Sequence, residues 1–235
     1  MLNRLEKAIE LQEAARSQRK KGDALRKVGR EDAAMDAYRV GLARLQEALV
    51  HLMPDVEKLK TSSQPLPNDL TEALHELIEI YGALGGINER LGALDGSVES
   101  YSDGAFFEER FGQASTYNRL NAVKYALLTS SDPLRSYQSR IAGLADFIEA
   151  SLRDDKALSD RGWAWADLGD CLALLDRTSD ATKAYATFIA KAEIKSPERT
   201  LDVLKKIASK LHSNKDPDAS RLARAIEALR AGIVV

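Results

Sequence analysis

The chain has one cysteine, three histidines, six prolines and only 6% aromatic residues, and its charges nearly cancel, with 34 Lys and Arg against 36 Asp and Glu. A single cysteine excludes an internal disulfide, and with His51, His75 and His212 scattered along the chain it offers no zinc-ligand spacing. No metal and no cofactor is expected. Cys171, in the stretch LGDCLALL, reads as a buried small apolar position rather than a nucleophile. A formal charge of -2 gives no general electrostatic reason to expect nucleic acid or an anionic membrane as partner. No segment reaches the ~18 apolar residues of a membrane span. The N-terminal stretch MLNRLEKAIELQEAARSQRKKG carries charges every few residues where a signal peptide needs an apolar run, so a cytoplasmic location is expected. A Walker loop, a nucleophile elbow, paired histidines on a helix and a CxxC pair are all missing. The chain is therefore not expected to be an enzyme.

What is there is helical patterning. Apolar residues recur at spacings of three and four, as in Leu70, Leu74, Leu77, Ile78, Tyr81 and Leu84, and no segment sustains a period of two. The spacing predicts an all-α chain with helices over 2 to 28, 31 to 52, 69 to 91, 94 to 111, 115 to 130, 134 to 153, 157 to 175, 178 to 193, 197 to 212 and 217 to 231. All six prolines (Pro54, Pro65, Pro67, Pro133, Pro197, Pro217) fall where this patterning stops, as expected of a residue that costs ~3 kcal/mol inside a helix. Asp132-Pro133, Ser196-Pro197 and Asp216-Pro217 read as helix starts, an N-cap followed by proline at the first helical position. The Ser/Pro-rich stretch over 54 to 68 reads as an exposed loop within a single domain of 1 to 235. It follows a first hairpin over 1 to 53 and precedes further hairpins over 69 to 193.

The helix pairs repeat. Trp165, Leu168, Gly169, Leu172, Asp176, Thr178, Ala181, Tyr185 and Phe188 keep the spacing of the tetratricopeptide unit, a roughly 34-residue helix pair whose neighbouring hairpins nest through small residues. Phe188 stands where that unit has a small residue. Two other segments agree at three positions: glycine at the eighth (Gly22, Gly85, Gly169), a small residue at the twentieth (Ala34, Ser97, Ala181) and tyrosine at the twenty-fourth (Tyr38, Tyr101, Tyr185). A third, degenerate copy over 115 to 153 holds no single register. The chain thus resembles a tetratricopeptide α-solenoid of antiparallel hairpins, with C-terminal capping helices over 194 to 235 and a Gly232-Ile-Val-Val235 end that tucks against them or docks elsewhere.

Residues 75 to 212 also resemble a narrower branch, the TRAF-binding helical region of the apoptosis-signal-regulating kinase kinase kinases and its bacterial relatives. The likeness is carried by Tyr101-Ser-Asp-Gly-Ala-Phe, by Thr116-Tyr-Asn-Arg-Leu-Asn-Ala122, by Gly162-Trp-Ala-Trp165 and by the Leu168 to Tyr185 hairpin. It implies a scaffold or adaptor, in stress or defence signalling.

In this repeat type the first helix of each hairpin lines a concave groove. That register puts Arg16, Arg19, Asp23, Arg26 and Lys27 in the groove from the first hairpin, and Trp163 and Asp170 from the last. Residues 16 to 30 hold seven basic side chains against one acid, which suits an acidic protein or peptide partner. Trp163 offers a large rigid contact with a polar edge. The expected function is a non-catalytic scaffold holding a partner peptide or helix. The alternative is a sensor that binds a small ligand or signalling peptide and switches a separately encoded effector.

Overall fold

A computed structural model of the chain describes residues 3–156, 158, 162–192 and 198–233. Among these the chain is all-helical, with ten α-helices and no strand. They are α1 (Arg4–Lys27), α2 (Glu31–Thr61), α3 (Asn68–Arg90), α4 (Leu94–Arg110), α5 (Tyr117–Thr129), α6 (Gln138–Asp154), α7 (Gly162–Leu174), α8 (Thr178–Ala192), α9 (Glu198–Ser213) and α10 (Ala219–Ile233), with a 3-10 turn over Leu134–Tyr137 before α6. No helix among the described residues is long and apolar enough to cross a membrane. The chain packs as two compact units, Met1–Gly112 and Gln113–Val235. Parts of the helices expected over 157 to 175 and 197 to 212, including Pro197, and the end of the chain at 234 to 235 lie outside the described residues.

Local chemistry fixes where the hairpins begin and turn. Asn3 and Glu6 form a reciprocal capping box at the start of α1, at 2.8 Å in each direction, which satisfies donors that the first turn otherwise leaves bare. The α1/α2, α3/α4, α7/α8 and α9/α10 pairs are each closed by the same short connection. In each, one residue sits in the left-handed region: Gly29 at φ 75°, Gly92 at 76°, Asp176 at 65° and Lys215 at 57°. The next amide reaches back to a carbonyl of the preceding last turn, as in Arg30 to Leu25, Ala93 to Asn88, Arg177 to Leu172 and Asp216 to Leu211. This arrangement ends a helix with its carbonyls satisfied and reverses the chain, within three residues in the first three pairs and over 214–218 in the last. The last pair was expected only as a cap. It shares the turn but not the interior contact, because Arg224 is exposed where the other hairpins place a tyrosine.

Pro54 corrects the sequence reading. It lies inside α2, which continues to Thr61, so the loop expected over 54 to 68 shrinks to 62–67. The helix survives because Pro54 is on its solvent face, where the carbonyl four residues back needs no intrahelical partner. The buried stripe of Leu45, Ala48, Leu52, Val56 and Leu59 passes through at spacings of three and four. Pro133 likewise precedes its helix, as an extended residue before the 3-10 turn, and Pro217 lies in the turn before α10.

Each unit has its own apolar core. In the first, Leu11, Tyr38, Leu45, Leu52, Leu59, Leu74, Leu77, Ile80 and Ile87 pack together. In the second, Leu120, Val123, Ile141, Ile148, Leu168, Leu172, Phe188, Leu204, Ile207 and Leu229 do so, with Cys171 buried among them.

Candidate functional site

Three hairpins share one interior contact. A Cβ placed on Gly22 would lie 2.4 Å from the ring of Tyr38, on Gly85 2.5 Å from Tyr101, and on Gly169 2.9 Å from Tyr185. In each case the tyrosine lies sixteen residues further along the chain and is buried. The small residues of the second helices, Ala34, Ser97 and Ala181, are completely buried. Ser97 donates its hydroxyl to the Gly85 carbonyl at 3.0 Å, which meets the hydrogen-bonding need of a buried polar group.

In the first and last of these hairpins an aspartate follows the glycine and anchors the tyrosine. Asp23 accepts the Tyr38 hydroxyl at 2.8 Å and a two-pronged bond from Arg90 on α3, at 2.7 and 3.2 Å. Arg90 also donates to the Gly86 carbonyl at 2.8 Å, and Arg26 caps the end of α3 by donating to the Arg90 carbonyl at 2.9 Å. Burial pushes the Asp23 carboxyl up, but the hydrogen bonds from Arg90 and Tyr38 outweigh it and hold the group below its ordinary value. One carboxylate thereby ties three helices together.

The second unit repeats the device with a lysine. Asp170 on α7 accepts the Tyr185 hydroxyl from α8 and the Lys124 ammonium from α5, the latter at 2.6 Å. Both charged side chains are almost fully enclosed. Burial alone would drive Lys124 toward its neutral form, but Asp170 and Asp167 together raise its pKa above the ordinary value. Asp167, which accepts the Thr116 hydroxyl at 3.2 Å, is pushed up to about 6, chiefly by burial and against the pull of Lys124. Burial raises the Cys171 thiol well above its usual range as well, which keeps it out of nucleophilic chemistry.

No protein-family model matches the chain, and a search of curated proteins returns no match either.

The residues expected to face a partner therefore divide. Asp23, Arg26 and Asp170 do not present free charge to a groove. The two aspartates form the anchors just described, and Arg26 is bonded to Glu31 at 3.0 Å and lies over the Tyr38 ring. Arg19 is half-buried, with its Nε enclosed and without an acceptor. Arg16 is exposed and reaches Glu79 on α3 only loosely, at 3.8 Å. Lys27 is exposed and has no ion pair among the described residues, and the same holds for Lys20, Lys21 and Arg30, which sequence reasoning did not single out. Trp163 is 68% exposed, and its ring is tilted by 48° against that of buried Phe188, ring centres 5.0 Å apart. Among the described residues no group of three or more His, Cys, Asp or Glu side chains is placed to hold a metal ion.

Beyond Arg16, on the side away from the anchor of the first unit, lies a second polar site that the sequence did not reveal. Glu76 on α3 has its Oε1 enclosed with no hydrogen-bond donor. Burial, then the charges of Glu79 and Glu13, push its carboxyl up to about 7 against the pull of Arg16. A raised carboxyl pKa means that the folded state holds its proton more tightly. The stabilisation is complete below the unfolded value near 4.5 and is lost as pH rises through about 7. Glu76→Gln is expected to flatten this slope and to raise stability at pH 8 by roughly 1 kcal/mol, discounted for the side chain's partial exposure. Urea unfolding midpoints between pH 5 and pH 8 check it, and a variant that keeps the wild-type slope would refute it.

Proposed function

We propose that the chain is a tetratricopeptide-like scaffold without catalytic activity that holds an acidic peptide or helix of another protein. The observation that carries the reading is the recurrence of one hairpin three times: glycine packed under tyrosine at the same spacing, a small buried residue opposite, and a left-handed residue at the turn. Such hairpins hold their exposed side chains on rigid helices, so little conformational freedom is lost when a partner docks. On the first unit the face open to an acidic partner is the α1 row of Arg16, Lys20 and Lys27, the last two of which lack an internal counter-charge. On the second unit the exposed indole of Trp163 supplies an apolar contact. The likeness of residues 75 to 212 to the TRAF-binding helical region favours a role in stress or defence signalling.

Titration of the protein with a fluorescent acidic helical peptide and with its charge-reversed counterpart tests the reading. Tighter binding of the acidic peptide, steeply weakened by salt, is expected. Lys20→Glu combined with Lys27→Glu should weaken it by roughly tenfold or more with no fall in melting temperature, because neither side chain takes part in the packing. Equal binding of both peptides, or binding unchanged by the double substitution, would overturn it.

A further inference from the structure

Another side of α1 carries a different feature. Between α1 and α2 lies an open depression of about 460 Å³, with a floor of Leu25, Ala33, Ala37 and Val40 and with Lys21 and Arg30 on its rim. Both rim cations are exposed and, among the described residues, without ion pairs, whereas the one rim acid, Asp36, is occupied by Arg39 at 2.8 Å. Val40 is 47% exposed although it belongs to an apolar floor. At the equivalent place in the other hairpins the sequence puts apolar residues that are buried, Leu84 and Leu168, where Lys21 stands here.

The outer face of α4 is its complement in shape and sign. Phe106 projects from it, 48% exposed. Its ring meets Phe107 edge-on, with Arg110 6.0 Å from its centre. On the same face stand Asp95, Glu99 and Asp103, one turn apart. Several exposed charges on the helices of this chain are matched by an opposite charge three residues away, as in Arg39 with Asp36, Arg44 with Glu47 and Lys60 with Glu57. The α4 row is not, and like charges at this helical spacing repel each other. The Asp103 carboxyl is pushed up by burial and then by Glu99, with only Lys60 opposing.

We infer that the chain associates with a second copy of itself, the Phe106 ring of one copy entering the α1/α2 depression of the next while Glu99 and Asp103 meet Lys21 and Arg30. The two surfaces are different patches of one molecule, so the contact is head-to-tail, and successive copies extend into an open chain unless the rotation closes a ring. It uses a different side of α1 from Lys20 and Lys27, so association and capture of an acidic partner are separable.

Sedimentation velocity of the full chain, at ionic strengths of ~0.03 M and ~0.5 M, tests this with three variants. The wild type should associate at low salt and dissociate at high salt. Phe106→Ser should weaken association by roughly tenfold or more. Lys21→Glu with Arg30→Glu should abolish self-association of that variant, as should Glu99→Lys with Asp103→Lys, while an equimolar mixture of the two double variants should associate again. All three substitute exposed side chains, and circular dichroism checks that they remain folded. A wild type that stays monomeric at low salt, or double variants that fail to associate when mixed, would overturn the proposal. Unchanged association of the Phe106→Ser chain would do so too. Loss of acidic-peptide binding in Lys20→Glu/Lys27→Glu leaves it standing.

Discussion

Gly22→Ala should destabilise the first unit by about 1–3 kcal/mol, even though alanine is the better helix former by ~1 kcal/mol. The added methyl would sit 2.4 Å from Cε1, 2.7 Å from Cδ1 and 2.9 Å from Cζ of Tyr38, well inside contact distance. A flexible side chain could swing aside, but this ring is fully buried and its hydroxyl is bonded to Asp23. Relief requires α1 and α2 to separate, which opens the closest crossing of the hairpin. Gly86→Ala is the control. Its Cβ would meet nothing nearer than 3.6 Å, so the same substitution on α3 should be neutral or mildly stabilising. Chemical unfolding of both variants separates the packing effect from helix propensity. Equal effects at the two positions would show that glycine serves only as a weak helix former.

Lys124→Met should cost more, about 3–5 kcal/mol, the range for removing one partner of a buried ion pair. Methionine nearly matches the lysine stem in volume, so the loss is electrical rather than steric. Without the ammonium, Asp170 keeps only the Tyr185 hydroxyl, and Asp167, already pushed up to about 6, loses the charge that restrains it. Two carboxylates would then face each other in a dry interior. The sign follows: the Asp167 carboxyl, freed of the pull of Lys124, rises further in the variant, the folded state binds protons more avidly than the unfolded chain, and stability returns as pH falls. The deficit in unfolding free energy between wild type and Lys124→Met should therefore shrink from pH 8 to pH 5. A deficit constant across that interval would mean that the lysine acts through packing alone.

Much of the hairpin architecture was legible because its contacts are local and written in small residues. Gly22, Gly85 and Gly169 stand at a fixed interval from Tyr38, Tyr101 and Tyr185, and a close helix crossing leaves no other pairing of that shape. Three features escaped for different reasons. Pro54 was read as a stop because proline usually is one, although the apolar stripe of Leu52, Val56 and Leu59 continued past it. Asp23 and Asp170 were placed in a groove by their repeat position. The recurrence of Gly-Asp at 22–23 and 169–170, each ahead of a tyrosine, was the available sign that they face inward. The cations that complete those anchors were beyond reach: Arg90 lies 67 residues from Asp23, and Lys124 lies 46 from Asp170. Only packing brings them together. The left-handed turns at Asp176 and Lys215 were hidden because neither residue is glycine.

The direction of those long-range bonds sets where the chain can be cut. Asp23 draws its guanidinium from a helix that follows it, while Asp170 draws its ammonium from one that precedes it. Excising α1 and α2 would strand a carboxylate, and so would starting a fragment at α7. These hairpins are not interchangeable modules to be lifted out singly, whereas a break at the junction of Gly112 and Gln113 severs neither anchor.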